Sequence, residues 1–244
     1  MRRRFFVERF AGNKAALRGE PAHHLSRVLR AEPGQLYELS DGQAIWLARV
    51  DSAQLDTVEF SLVEQIPVSQ PSLHPTLLLS IIKFDRFEWC LEKATELGAD
   101  KIIPLAAARS EKALVAAAAK RARRWEKILT ESAQQARRLR PPGLAAAIDP
   151  AEGFARERAP IQILLSESRE APSLRTFLDR VRSRASASAA EVAIAVGPEG
   201  GWTDGELGAA QAAGFAEASL GGNIQRTETA VIAALAILNY ALGD

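Results

Sequence analysis

The stretch Glu191-Val192-Ala193-Ile194-Ala195-Val196-Gly197-Pro198-Glu199-Gly200-Gly201-Trp202-Thr203-Asp204-Gly205-Glu206 joins a strand, a glycine turn and the opening of a helix. Glu191–Val196 is a short, almost unbroken apolar run, the pattern of a strand covered on both faces. The cluster Gly197-Pro198-Glu199-Gly200-Gly201 ends it, because such residues favour turns over continued strand. Thr203 can then accept from the backbone N–H three residues on, while Glu206 reaches back to Thr203 in a capping box. Gly214 closes the helix that follows.

The same rhythm extends in both directions. Downstream, Ala216–Leu220 reads as a strand, Gly221-Gly222-Asn223 as a second glycine turn, and Glu228–Leu242 as a final apolar helix. Upstream, Thr76–Ile82 is a strand and Asp85–Leu97 a helix with Phe87, Leu91, Ala94 and Leu97 on one face, stopped by Gly98. Strand Lys101–Leu105, helix Ala116–Arg138 before Pro141-Pro142, strand Ile161–Leu165 and helix Ser173–Arg182 complete the series, with Ser183–Ala190 as a low-complexity loop. Alternation of this kind predicts an α/β domain with a parallel sheet covered on both faces.

Ile66–Pro75 holds three prolines and two serines, which argues against a helix or central strand crossing it and marks a domain boundary. Before it, Arg4–Phe10, Gln35–Leu39, Ala44–Val50 (after Asp41-Gly42) and Thr57–Val63 read as strands of a small barrel. One helical interruption, His23–Arg30, lies between Pro21 and Pro33-Gly34. The expected domains are therefore 1–70 and 73–244.

Composition narrows the function. A chain of 244 residues with 47% hydrophobic content can bury a substantial core. No apolar run approaches a membrane span, and Met1-Arg2-Arg3-Arg4 leads into alternating residues, so a cytoplasmic location is expected. One cysteine, Cys90, excludes an internal disulfide, and three scattered histidines give no metal-ligand spacing, so no metal is expected. The net charge of +1 conceals polarity: residues 1–30 carry +6 and residues 109–140 carry +7, which leaves −12 on the remainder. Basic zones on an acidic body suit a phosphate-bearing partner, although solvated helix faces give the same pattern.

Two glycine segments carry candidate chemistry. Ligands of an open parallel sheet sit at the carboxyl ends of its strands, where glycines let backbone approach a ligand. Taken alone, Gly197–Gly201 reads better as a tight turn before a capped helix. Neither GxGxxG nor GxxxxGK[ST] occurs, which weighs against a nucleotide-dependent oxidoreductase. Gln225-Arg226-Thr227-Glu228-Thr229-Ala230 opens the last helix. Thr227 and Glu228 suit a cap and a first-turn acid, but Arg226 opposes the helix dipole and so points to an anionic partner. The 120–140 helix has an apolar stripe through Trp125 and Leu129 and a basic remainder suited to RNA or to solvent. His23-His24 fits either base contact or half-buried packing.

Together these segments resemble the RsmE family, SPOUT-class methyltransferases that modify N3 of a uridine in 16S ribosomal RNA. The resemblance rests on Arg3–Val7, His23–Arg30, Gly34 and Asp41-Gly42 in the first part, and on Lys83-Phe84-Asp85-Arg86, Lys93–Gly98, Pro104 and Arg109-Ser110 in the second. Gln135 and Arg138 match the family's basic helix, and Gly197–Gly201, Leu220-Gly221, Ile224 and Arg226–Ala230 its two cofactor loops. Asn223 stands where an arginine is usual, Gln225 where a leucine is usual, Gln134 where an acid is common, and Phe84 where a glycine is usual. The resemblance implies a PUA-like β-barrel RNA-binding domain (1–70), and a SPOUT methyltransferase domain (73–244) with a deep C-terminal trefoil knot. It also implies a homodimer, S-adenosylmethionine as cofactor, and 16S rRNA, in the small ribosomal subunit, as substrate.

By that resemblance the cofactor is bound by Leu165, Ser166 and Glu167, by Val196, Gly197, Pro198, Glu199, Gly200 and Gly201, and by Leu220, Gly221, Gly222, Ile224, Gln225, Arg226, Thr227, Thr229 and Ala230. Arg226 and Glu228 are the candidates for catalysis, the first stabilising an anionic uracil oxygen or a neighbouring phosphate, the second fixing Arg226 or handling the proton. RNA contacts are expected from Arg2, Arg3, Arg4, His23, His24, Arg27, Arg30, Lys83, Arg124 and Arg138. The competing reading is a non-catalytic RNA-binding or assembly protein that keeps the fold, for which Asn223 and Gln225 are the hints.

Overall fold

The computed structural model describes residues 3–182 and 190–243, so Arg2 and all but Ala190 of the serine-alanine loop lie outside the described residues. Two compact units are present: Met1–Gln70 with Thr130–Pro141, and Pro71–Leu129 with Pro142–Asp244.

The first unit contains β1 (Arg4–Phe6), β2 (Lys14–Arg18), α1 (Glu20–His23) running into a π turn (His24–Val28), β3 (Leu36–Ser40), β4 (Ile45–Ala53) and β5 (Thr57–Ile66). The sheet order is β1-β3-β4-β5-β2, with β1 parallel to β3 and the other neighbours antiparallel. Period-two alternation orients β5: Val58 and Phe60 are fully buried while Glu59 faces solvent. These join Phe5, Leu17, Leu25, Leu39 and Val50 in one core. Arg4 and Glu38, register partners on β1 and β3, form a buried ion pair at 2.8 Å. Arg4 also donates to the Arg137 carbonyl, and Ser40 to the Leu139 carbonyl, so both hold the Thr130–Pro141 segment of this unit.

Three features differ from the sequence expectation. No strand is expected at Lys14–Arg18, because its inward residues are Ala15 and Leu17, and one small alanine gives a weak alternation. The helix starts three residues before His23, since Pro21 sits in its first turn, where a missing N–H removes no helical bond. Beyond His23 the chain forms a π turn rather than regular helix, and Arg30 ends it with φ of 50°.

The second unit contains β6 (Leu73–Ser80), α2 (Phe84–Glu96), β7 (Lys101–Leu105), α3 (Lys112–Gln135), β8 (Gly143–Leu144), α4 (Pro150–Arg156), β9 (Ile161–Leu165), α5 (Leu174–Arg182), β10 (Ala190–Val196), α6 (Asp204–Ala212), β11 (Ala216–Ala218) and α7 (Thr227–Leu242). From Thr130 on, α3 belongs to the first unit. Every neighbouring pair in the order β11-β9-β10-β6-β7-β8 is parallel. Both faces are covered, as the alternation predicts. Leu77, Leu79, Val192, Ile194 and Val196 face Phe87, Leu91, Trp125, Leu174, Val231 and Leu235 of α2, α3, α5 and α7. Leu78, Ala193 and Ala195 face the other way, toward Phe154, Trp202, Ala210 and Phe215 around α4 and α6.

Here too the expectation needs correction. The proline-rich segment does enter a central strand, for β6 begins at Leu73 and includes Pro75. The Pro75 carbonyl accepts from Asp100 N–H at 2.8 Å, on the β7 side. In extended backbone the missing N–H of the same residue points that way too, one residue before pairing with β7 starts at Thr76, so no ladder bond is lost. Between Pro142 and Ile161, where no element is expected, lie β8 and α4. Asp149 caps α4 by accepting from Ala151 N–H at 2.8 Å, and Gly153 brings it close to the sheet, where a Cβ would stand 2.9 Å from Leu105 Cδ2.

Candidate active site

Because β11, β9 and β10 are parallel neighbours, their carboxyl ends lie side by side, and the loop after each opens at the same edge. Those loops are 166–173, 197–203 and 219–226. They enclose a cavity of about 760 Å³.

Side chains fix the loops to one another. The Trp202 indole N–H donates to the Leu165 carbonyl at 2.9 Å, tying the loop after β10 to the end of β9. Gly197 is glycine for a physical reason: a Cβ there would stand 3.1 Å from the Trp202 ring. Gly201, with φ of 70°, closes the turn by donating to the Pro198 carbonyl at 2.8 Å. The Thr227 hydroxyl donates to the Gly197 carbonyl at 3.1 Å, which anchors the start of α7. The N-cap of α7 is Arg226, which offers no side-chain cap, so Thr227 is a tie between elements rather than a cap.

A second brace comes from the loop after β7. Arg109 donates to the Gly200 carbonyl at 2.6 Å, and its aliphatic stem lies where a Cβ on Gly200 would stand 3.2 Å from it. Glu206 is buried and works with both oxygens. One accepts from the N–H and hydroxyl of Thr203, each at 2.8 Å, completing the capping box of α6. The other accepts from Ala108 N–H at 2.9 Å. One carboxylate thereby sets both the helix start after the glycine turn and the loop that delivers Arg109.

Of the cofactor residues expected from the sequence, the structure brings to the cavity Leu165, Ser166 and Glu167, Val196 through Gly201, Leu220, Gly221, Gly222, Ile224, Gln225, Thr227 and Ala230. Arg226 and Thr229 are exposed and do not line it, and neither does Glu228. No ion pair joins Arg226 to Glu228 among the described residues: Arg226, the N-cap of α7, is exposed, and Glu228 is half-buried. Glu228 points inward, with one oxygen enclosed and meeting no donor. Its charge, together with that of Glu199, adds to burial in pushing the Cys90 thiol up to about 12.

Sequence reasoning did not assign Arg109, Ser168, Arg169, Trp202 or Asn223 to the cavity, although all line it. The signal existed for two of them: Trp202 follows the glycine turn directly, and Arg109 follows the carboxyl end of β7, the sheet edge where ligands bind.

The expected RNA residues divide. Arg3, His24, Arg27, Arg30 and Lys83 are exposed. Arg4 is buried against Glu38, since its register position turns it inward. His23 is held by Asp56, Arg124 by Glu88 at 2.8 Å, and Arg138 is half-buried. Among the described residues no group of three or more His, Cys, Asp or Glu side chains is arranged to hold a metal, and no helix is long and apolar enough to cross a membrane.

A cavity of this size, with an apolar wall from Leu165, Val196, Leu220 and Ala230 and exposed carboxylates at Glu167 and Glu199, fits a nucleoside-bearing cofactor with a cationic tail. Gln225 adds an enclosed carbonyl oxygen with no donor in reach among the described residues.

Comparison with known proteins agrees. Residues 69–239 match the RNA methyltransferase domain family. The chain is 33% identical over 224 residues to ribosomal RNA small subunit methyltransferase E of Synechocystis sp., covering 90% of this chain and 71% of that protein. With its Bacillus subtilis counterpart it shares 30% over 234 residues, covering 92% and 89%. The crystal structure of ribosomal RNA small subunit methyltransferase E from Neisseria gonorrhoeae bound to S-adenosyl methionine superposes with a TM-score of 0.87 at 29% identity, covering 100% of this chain and 99% of that one. A Legionella pneumophila structure described as a putative methyltransferase, with bound SAM, gives 0.86 at 26% identity over 100% and 99%. Fold, site and sequence together establish that the chain belongs to the ribosomal RNA small subunit methyltransferase E family.

Proposed function

We propose that the protein transfers the methyl group of S-adenosylmethionine to N3 of a uridine in 16S ribosomal RNA, within the small ribosomal subunit. Family membership makes it an S-adenosylmethionine-dependent rRNA methyltransferase. The observation that carries the site assignment is the cavity at the carboxyl ends of β9, β10 and β11, braced by Trp202, Thr227 and Arg109.

When bound, the cofactor supplies a methyl group already activated by a sulfonium. The chain's task is then orientation and charge. Backbone of the three loops holds the cofactor, with Gly197 and Gly200 leaving room for Trp202 and Arg109 to brace the turn. Arg226, exposed beside the cavity, is positioned to stabilise the uracil oxygens as N3 loses its proton. Glu228, half-buried at the first turn of α7 with one oxygen meeting no donor, fixes Arg226 or handles the proton.

Residues 1–70, the greater part of the first unit, serve as the PUA-like RNA-binding domain, and residues 73–244, which hold the whole second unit but for its first two residues, as the SPOUT domain, its C-terminal segment forming the knot. The second unit pairs with a second copy of the chain as a homodimer, for which exposed Trp89 on α2 and Tyr240 on α7 are candidate contact residues. Acting on ribosomal RNA, the protein works in the cytoplasm.

The test is S-adenosylmethionine binding by calorimetry, then methyl transfer to small subunits lacking the modification. Transfer to uridine N3 supports the proposal. Binding without transfer points to a different substrate or a missing partner, and no binding favours the non-catalytic alternative. An Arg226→Ala variant is expected to retain cofactor affinity and lose turnover by about 100-fold, the usual scale for one oxyanion-stabilising donor. Full turnover would remove Arg226 from the mechanism.

A further inference from the structure

In the run from Gly221 to Arg226, five of six residues are exposed, and Gln225, on the cavity wall, is the one that is half-buried. Its Oε1 is enclosed and meets no donor among the described residues. A buried carbonyl oxygen left without a donor carries a desolvation penalty that a bound N–H or O–H relieves. An apolar side chain would fill the position without that penalty. We propose that Gln225 Oε1 accepts a hydrogen bond from the exocyclic amino group of the cofactor's adenine, so that a side chain takes part in selecting the base. This rests on the cofactor assignment above.

The chemistry of the cavity decides among the cofactor's donors. Its ammonium group is charged, and the exposed carboxylate of Glu167 suits it better than an enclosed neutral amide. Ribose hydroxyls carry both donor and acceptor and retain water readily. The adenine is the flat, largely apolar part that belongs against Leu165, Val196 and Leu220, and its amino group is the donor that such burial would otherwise strand.

Calorimetry with S-adenosylhomocysteine and its purine analogue, which lacks only the amino group, tests this on the wild-type protein and on Gln225→Leu and Gln225→Met. The wild type is expected to prefer the adenine ligand by about tenfold, the effect of stranding one buried acceptor. In both variants that preference should shrink several-fold, with the thermal unfolding midpoint little changed. The methionine variant preserves side-chain length, so a packing effect confined to leucine is recognised. Equal wild-type affinity for the two ligands overturns the proposal, as does an undiminished preference in both variants. In either case binding of S-adenosylhomocysteine itself would leave the cofactor assignment standing, whereas no binding of either ligand would overturn both.

Discussion

Arg3 and Arg4 are adjacent in a basic sequence, yet strand geometry sends them to opposite fates. Arg3 is exposed, while Arg4 is buried opposite Glu38. Removing one member of a buried pair leaves the other charge uncompensated, typically at about 3–5 kcal/mol. Arg137 lies 3.9 Å from Glu38 and compensates part of its charge, so Arg4→Ala should lower stability by about the lower end of that range in denaturant titration, whereas Arg3→Ala should leave stability within about 0.5 kcal/mol, as for an ordinary surface site. Equal stability of the two variants would refute the distinction. Cys90 supplies a pH prediction. Burial, then the charges of Glu228 and Glu199, raise its thiol from 9.0 to about 12, so the folded state holds the proton more tightly than the unfolded chain. Stability contributed by this group is complete below about pH 9 and is lost as pH rises toward about 12. Thermal unfolding across the accessible alkaline part of that window should show a steeper decline for wild type than for Cys90→Ala. Parallel curves would mean the thiol titrates normally.

At the scale of elements, Glu206 links a helix cap to a loop. Glu206→Gln leaves one acceptor oxygen where the structure uses two, so either the cap at Thr203 or the bond from Ala108 is lost. The expected loss is about 1–3 kcal/mol of stability, together with weaker S-adenosylmethionine binding because Arg109 no longer arrives in register at Gly200. Calorimetry should show that weakening also in Arg109→Ala, and the double variant should lose less than the two single losses combined. Full additivity would mean that the two residues act independently. The capping box was legible in the sequence because its signal is local, a threonine and a glutamate three residues apart. The second role of Glu206 was not legible, for it depends on a contact with Ala108, 98 residues away. For the same reason β2, with little more than Ala15 and Leu17 to mark its inner face, left almost no trace. The buried β10, by contrast, was plain from its apolar run.

For the whole molecule, net charge misleads and position decides. Cavity loops were legible because glycines after strands of a parallel sheet mark the edge where ligands bind. Orientation of the charged residues was not, because sequence shows which residues are basic but not which carboxylate each one meets. Arg27 and Arg30 are exposed with no carboxylate bound to them among the described residues, whereas Arg124 is already held by Glu88 at 2.8 Å. A guanidinium that contacts RNA phosphate releases a counterion, so each such contact on single-stranded RNA contributes about −0.7 to the slope of log affinity against log salt. Arg27→Ala with Arg30→Ala should therefore flatten that slope by about 1.4 and weaken RNA binding most at low salt, leaving S-adenosylmethionine affinity unchanged. Arg124→Ala should change the slope less, because its charge is already neutralised by Glu88 and little counterion is released. If the double variant keeps the wild-type slope, the phosphate path lies elsewhere on the protein. If Arg124→Ala flattens it as much, Glu88 must give up Arg124 when RNA binds.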